Sequence, residues 1–90
     1  MPDYGFYNGV ISPLSDIAIP LTDRSVFFAD SIYEVMLGYG STIHLMDKHF
    51  TRFKSNLSSV NIPLPESPDY IKERIFDLIN LSGYKQYIVY

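Results

Sequence analysis

The nine residues from Ser31 to Tyr39 constrain this chain most. They alternate strictly, with Tyr33, Val35, Leu37 and Tyr39 on one side and Ile32, Glu34, Met36 and Gly38 on the other. Successive side chains of an extended backbone point to opposite faces, so this run predicts a strand. Glu34 adds a condition, because a carboxylate among apolar neighbours needs a partner unless its face is wet. Tyr33, on the opposite face, fits core packing or a hydroxyl offered to a ligand, and taken alone it favours the core. Gly40-Ser41 fits a tight turn, and Thr42 to Met46 predicts the returning strand.

The remaining elements follow from local signals. Tyr4–Tyr7 and Val10–Ser12 flank Asn8-Gly9, a hairpin signature, and Pro13 ends the second strand. Ile17–Ile19 reads as a short extended piece before Pro20, and 21–29 as an irregular loop carrying Asp23-Arg24 and Phe27-Phe28. Asp47 is a good N-cap for a helix over Asp47–Val60, whose apolar stripe is Phe50, Phe53, Leu57 and Val60. Ser67-Pro68 opens a second helix to Leu81 with Ile71, Ile75, Leu78 and Ile79 inward, and Ser82-Gly83 closes it. Tyr84–Tyr90 is extended again. The fold expected is α+β: one antiparallel sheet with two helices packed on one face.

With 90 residues the chain makes one domain with a single small core. Apolar residues at 47% and charged residues at 19% exclude a disordered tail. The net charge is −3, and through Met46 Arg24 is the only basic residue, so nucleic acid is not the expected partner. Cysteine is absent, which removes disulfides, thiolate nucleophiles and cysteine zinc sites. No apolar h-region and no apolar run of about 18 residues occurs, so a cytoplasmic protein without a membrane partner is expected. Because residues 84–90 stop inside an apolar strand, residues 1–90 are expected to be the N-terminal piece of something longer, or to need a partner for that edge. Tyr33, Tyr39, Tyr87 and Tyr90 give two strands more aromatic area than two helices can cover, which predicts association.

Chemistry-bearing clusters are few. His44 and His49 match no metal-ligand spacing, and no metal site is expected. No GxSxG, P-loop or GxGxxG is present. His49 and Arg52 stand three apart near a helix start, which suits an anion. The local pattern alone fits a solvated arginine paired with an acid better.

Taken in order, Asp23-Arg24, Phe27-Phe28-Ala29-Asp30-Ser31-Ile32-Tyr33-Glu34-Val35 and Asp47-Lys48-His49-Phe50-Thr51-Arg52-Phe53 resemble the N-terminal domain of class IV (fold-type IV) pyridoxal-phosphate aminotransferases. Ser25, Ala29 and Ser31 stand where the family pattern has glycine. The Tyr-Glu-Val version is most similar to members acting on D-amino acids such as D-alanine; branched-chain aminotransferases and aminodeoxychorismate lyases are the alternatives within the class. The resemblance implies pyridoxal 5'-phosphate as cofactor, with Arg52 on its phosphate. It implies Tyr33 and Tyr90 at the substrate carboxylate, and His49 and Glu34 in support. It implies a homodimer acting on an amino acid and a 2-oxo acid. The Schiff-base lysine of the family lies beyond residue 90, so no catalytic residue is assigned within 1–90, and this chain alone is expected to be inactive. A non-catalytic association domain is the reading from a different class.

Overall fold

A computed structural model describes residues 3–64 and 66–90. It is α+β, as expected, but its strands divide into two antiparallel sheets rather than one. In the first, β1 (Tyr4–Tyr7) pairs with β2 (Val10–Pro13), Tyr4 facing Pro13 and Tyr7 facing Val10. Asn8 and Gly9 close the hairpin at φ 49° and 86°, the left-handed pair that a two-residue turn demands. The second sheet has the order β4-β3-β5, formed by β3 (Met36–Tyr39), β4 (Thr42–Ile43) and β5 (Gln86–Val89). Ile17–Ile19 joins neither ladder.

β3 is shorter than the alternating run. Ladder pairing stops at Met36, opposite Val89. Residues 31–35 nevertheless keep the phase of the strand: Ile32 and Glu34 turn inward with Met36, while Tyr33 and Val35 are exposed with Leu37 and Tyr39. Tyr33 is therefore not core; it is 68% exposed. The segment expected to be a loop contains one helical turn, α1 (Arg24–Phe27). Asp23 caps it, accepting from the Ser25 amide at 2.9 Å and the Ser25 hydroxyl at 2.6 Å. Ala29, where the resemblance predicts glycine, sits at φ 54°.

Helix α2 (Met46–Ser59) starts differently from expectation. Its N-cap is Leu45 in a left-handed conformation (φ 53°), not Asp47. The hairpin is the cause. The His44 amide still donates to Leu37 O at 2.9 Å, so the chain must reverse at the next residue to leave the sheet. Asp47 then falls in the first turn, where its charge suits the helix dipole, and its carboxylate meets Lys72 at 3.0 Å. Val60 ends the helix half-exposed instead of continuing the stripe. Helix α3 (Pro68–Ser82) matches its signals: Ser67 Oγ accepts from the Tyr70 amide, and Gly83 closes it at φ 72°.

The core gathers Met36, Ile43, Phe50 and Ile75, with Met46, Ile71, Phe76, Ile79, Tyr87 and Val89 packed around them. The two long helices thus cover one face of the second sheet. The β1–β2 hairpin packs against α3, with Phe6 edge-on to Tyr70 at 6.3 Å. The other face of the second sheet carries exposed Leu37, Tyr39 and Ile88. Among the described residues no helix is long and apolar enough to cross a membrane.

Gly38 lies directly opposite Tyr87, whose ring covers it and whose hydroxyl donates to Gly40 O at 2.7 Å. A Cβ at position 38 would overlap that ring. Gly38→Ala is expected to lower unfolding stability by about 1–3 kcal/mol, the range for forcing a methyl group into packed space. A urea midpoint equal to that of the unchanged protein would contradict the flat-ring contact. Ala29→Gly should act in the opposite direction. It relieves a left-handed alanine worth about 1–2 kcal/mol, against about 0.5–1 kcal/mol of glycine entropy. A higher melting temperature in the variant is the expected readout; a lower one overturns the reading.

Candidate functional site

Three of the five expected site residues meet in one cluster. Glu34 lies on the inward side of the extended run before β3, with its side chain 8% exposed. His49 and Arg52 project from the first turns of α2, three residues apart and so on one surface. Arg52 grips the carboxylate with one edge of its guanidinium: Nε donates to Oε2 at 2.7 Å and Nη2 to Oε1 at 2.6 Å. His49 Nδ1 lies 2.7 Å from the same Oε1. The inward carboxylate thus has the partner its environment requires.

These hydrogen bonds set the electrostatics. Arg52 first, then His49, hold the Glu34 carboxyl down from its ordinary 4.5 to about 2. Glu34 in turn raises the Arg52 guanidinium. Glu34 is therefore a permanent anion at neutral pH. Arg52 remains largely exposed, and among the described residues its Nη1 makes no hydrogen bond. Beside it runs an open depression along α2, lined by Asp47, Lys48, Thr51, Arg52 and Ser55. Lys48 and the Glu34-paired Arg52 bring their N–H donors to that rim beside Asp47.

Tyr33 and Tyr90 fall elsewhere. They stand on the outer side, opposite Glu34, with rings stacked at 5.7 Å and 23° between planes. Tyr90 is 86% exposed. The expected site residues thus form two groups on opposite sides of the strand. What the sequence did not connect is Glu34 with Arg52, 18 positions apart. The available signal was an inward carboxylate followed by a His/Arg pair on the next helix. The Arg24–Asp30 ion pair, 2.6 Å long with Arg24 over the Phe28 ring, was also missed.

No family model matches the chain. It is similar to a D-alanine aminotransferase of Bacillus licheniformis, 26% identical over 76 residues. The similarity covers 84% of this chain and 27% of that protein, so the chain spans a minor part of its relative's length. It supports an aminotransferase-like domain.

The Glu34 shift carries a pH dependence of known sign. A carboxyl whose folded value lies below its unfolded one contributes stability above the unfolded value and loses it as pH falls. Here the loss runs from 4.5 down through about 2. Glu34→Gln has no titrating proton at this position, so its urea midpoint should fall less steeply with acid across that window. Parallel profiles for the two proteins would overturn the assignment.

Proposed function

We propose that this chain is the N-terminal domain of a pyridoxal-phosphate-dependent class IV aminotransferase. Its reaction exchanges an amino group between a D-amino acid, D-alanine first, and a 2-oxo acid. The observation that carries this reading is the similarity to D-alanine aminotransferase over 76 residues. Of the residues the resemblance assigns to the site, Glu34, His49 and Arg52 form one ion-paired cluster, and Tyr33 and Tyr90 one stacked pair.

The donor set fits one end of the cofactor. Arg52 has an outward nitrogen, and Lys48 stands on the same depression. Together they offer a phosphate charge-assisted donors near a helix start. Lys72 does not fit the other end: it is engaged by Asp47 and lies over the Phe50 ring at 5.0 Å. In this reading the reactive lysine comes from elsewhere in a longer protein, and residues 1–90 alone are inactive. When bound, pyridoxal phosphate supplies the electron sink for chemistry at the substrate Cα. This chain's residues bind and orient. Arg52 would anchor the phosphate, the Glu34 carboxylate holds both Arg52 and His49, and Tyr33 and Tyr90, exposed on the other side of the strand, would meet the substrate carboxylate. The uncovered outer face of the second sheet, with Leu37, Tyr39 and Ile88, suits a cytoplasmic homodimer in which further polypeptide closes the site.

Arg52→Ala in the full-length protein should weaken cofactor retention roughly ten- to hundredfold, as loss of a charge-assisted contact does. Arg52→Lys keeps a cation opposite Glu34 but loses the planar fork, and should fall between the two. Normal cofactor loading of both variants at low concentration overturns the phosphate role. Turnover of D-alanine above L-leucine and aminodeoxychorismate is expected. Preference for either of the others assigns the protein to that activity instead, and no turnover of any of the three by a folded, loaded protein favours an association domain.

A further inference from the structure

The Glu34 cluster fixes a proton position that the distances alone decide. Glu34 Oε1 lies 2.6 Å from Arg52 Nη2 and 2.7 Å from His49 Nδ1. An ionised carboxylate only accepts hydrogen bonds. A bare lone pair on Nδ1 at that distance would face a lone pair of Oε1, and the contact would be repulsive. Nδ1 therefore carries hydrogen. The 3.5 Å separation of Arg52 Nη2 and His49 Nδ1 is the gap between two donors converging on one oxygen, not a bond between them. Any further proton exchange on His49 takes place at Nε2.

We infer that Glu34 is the positioning residue of this cluster: it fixes His49 in its Nδ1-protonated form with Nε2 as the open nitrogen, and it turns the Nε/Nη2 edge of Arg52 inward so that the Nη1 end of the guanidinium faces outward. The inference stands on the carboxylate geometry and does not depend on the cofactor reading. Its consequence is a division of labour. Arg52 keeps both N–H groups of Nη1 and the second N–H of Nη2 for an anion, so its outward end still offers a two-pronged grip. His49, when neutral, presents an acceptor and so recognises a donor rather than an anion.

Nitrogen-resolved NMR of the His49 ring at alkaline pH, on the protein with no cofactor added, tests this. A protonated Nδ1 and an unprotonated Nε2 are expected, with a slowly exchanging Arg52 Nε–H. In Glu34→Ala the ring should shift toward the Nε2-protonated form. An Nε2-protonated ring in the unchanged protein overturns the inference, and so does an Nδ1-protonated ring that persists in Glu34→Ala. If the alanine variant does not fold, Glu34→Gln decides. Its amide keeps one acceptor for a fork that needs two, so Arg52 Nε–H exchange should quicken roughly tenfold or more. Unchanged exchange in a folded Glu34→Gln protein overturns the positioning role.

Discussion

A carboxylate turned away from water dictates much of this fold. Glu34 sits inside an apolar alternation, and its charge can persist there only because two donors reach it from α2. That requirement fixes how the helix lies against the strand. The left-handed turn at Leu45 starts α2 early enough to bring His49 and Arg52 over Glu34. Phe50, between them in sequence, turns to the core. One helix thus serves two faces, an ionic one toward the extended run before β3 and an apolar one toward Ile75. Removing Arg52 alone takes a partner from the inward carboxylate, whereas removing Glu34 alone leaves an arginine already open to water.

The apolar side of the structure is thin by comparison. Met36, Ile43, Phe50, Leu57 and Ile75 are the buried apolar residues among those described, and none has a side chain wholly sealed from solvent. A chain of this size buries a smaller fraction of its surface than a larger domain does. Much of its aromatic area stays on the outer face of the second sheet. Tyr87 is the exception: its ring turns inward because Gly38 leaves room for it across the strand. The glycine and the tyrosine make a single packing unit.

Local signals were legible and long-range pairings were not. The Asn8-Gly9 hairpin and the Ser67-Pro68 and Gly83 ends of α3 depend on neighbours in sequence, and each forms where its signal lies. The alternation through Ser31–Tyr39 gave the two faces their correct membership. It could not say which face was core, and Tyr33 fell on the exposed one. It could not say where the ladder stops, because that depends on β5, some fifty residues away. Asp47 was read as a cap from its own chemistry, but the hairpin before it placed the reversal at Leu45. The site divided in the same way. Each member of the Glu34, His49 and Arg52 cluster was singled out, yet their union needed the hairpin that folds α2 back onto the strand.

The stacked pair Tyr33 and Tyr90 has an optical consequence. The chain has eight tyrosines and no tryptophan, so tyrosine dominates its near-ultraviolet spectrum. Two rings 5.7 Å apart and 23° from parallel are close enough for their transition dipoles to couple. Their circular dichroism is then a joint property of the pair rather than a sum of two chromophores. Because both rings stand on the uncovered face, whatever comes to lie there writes itself into that coupling, and the protein carries its own reporter of the event without a label.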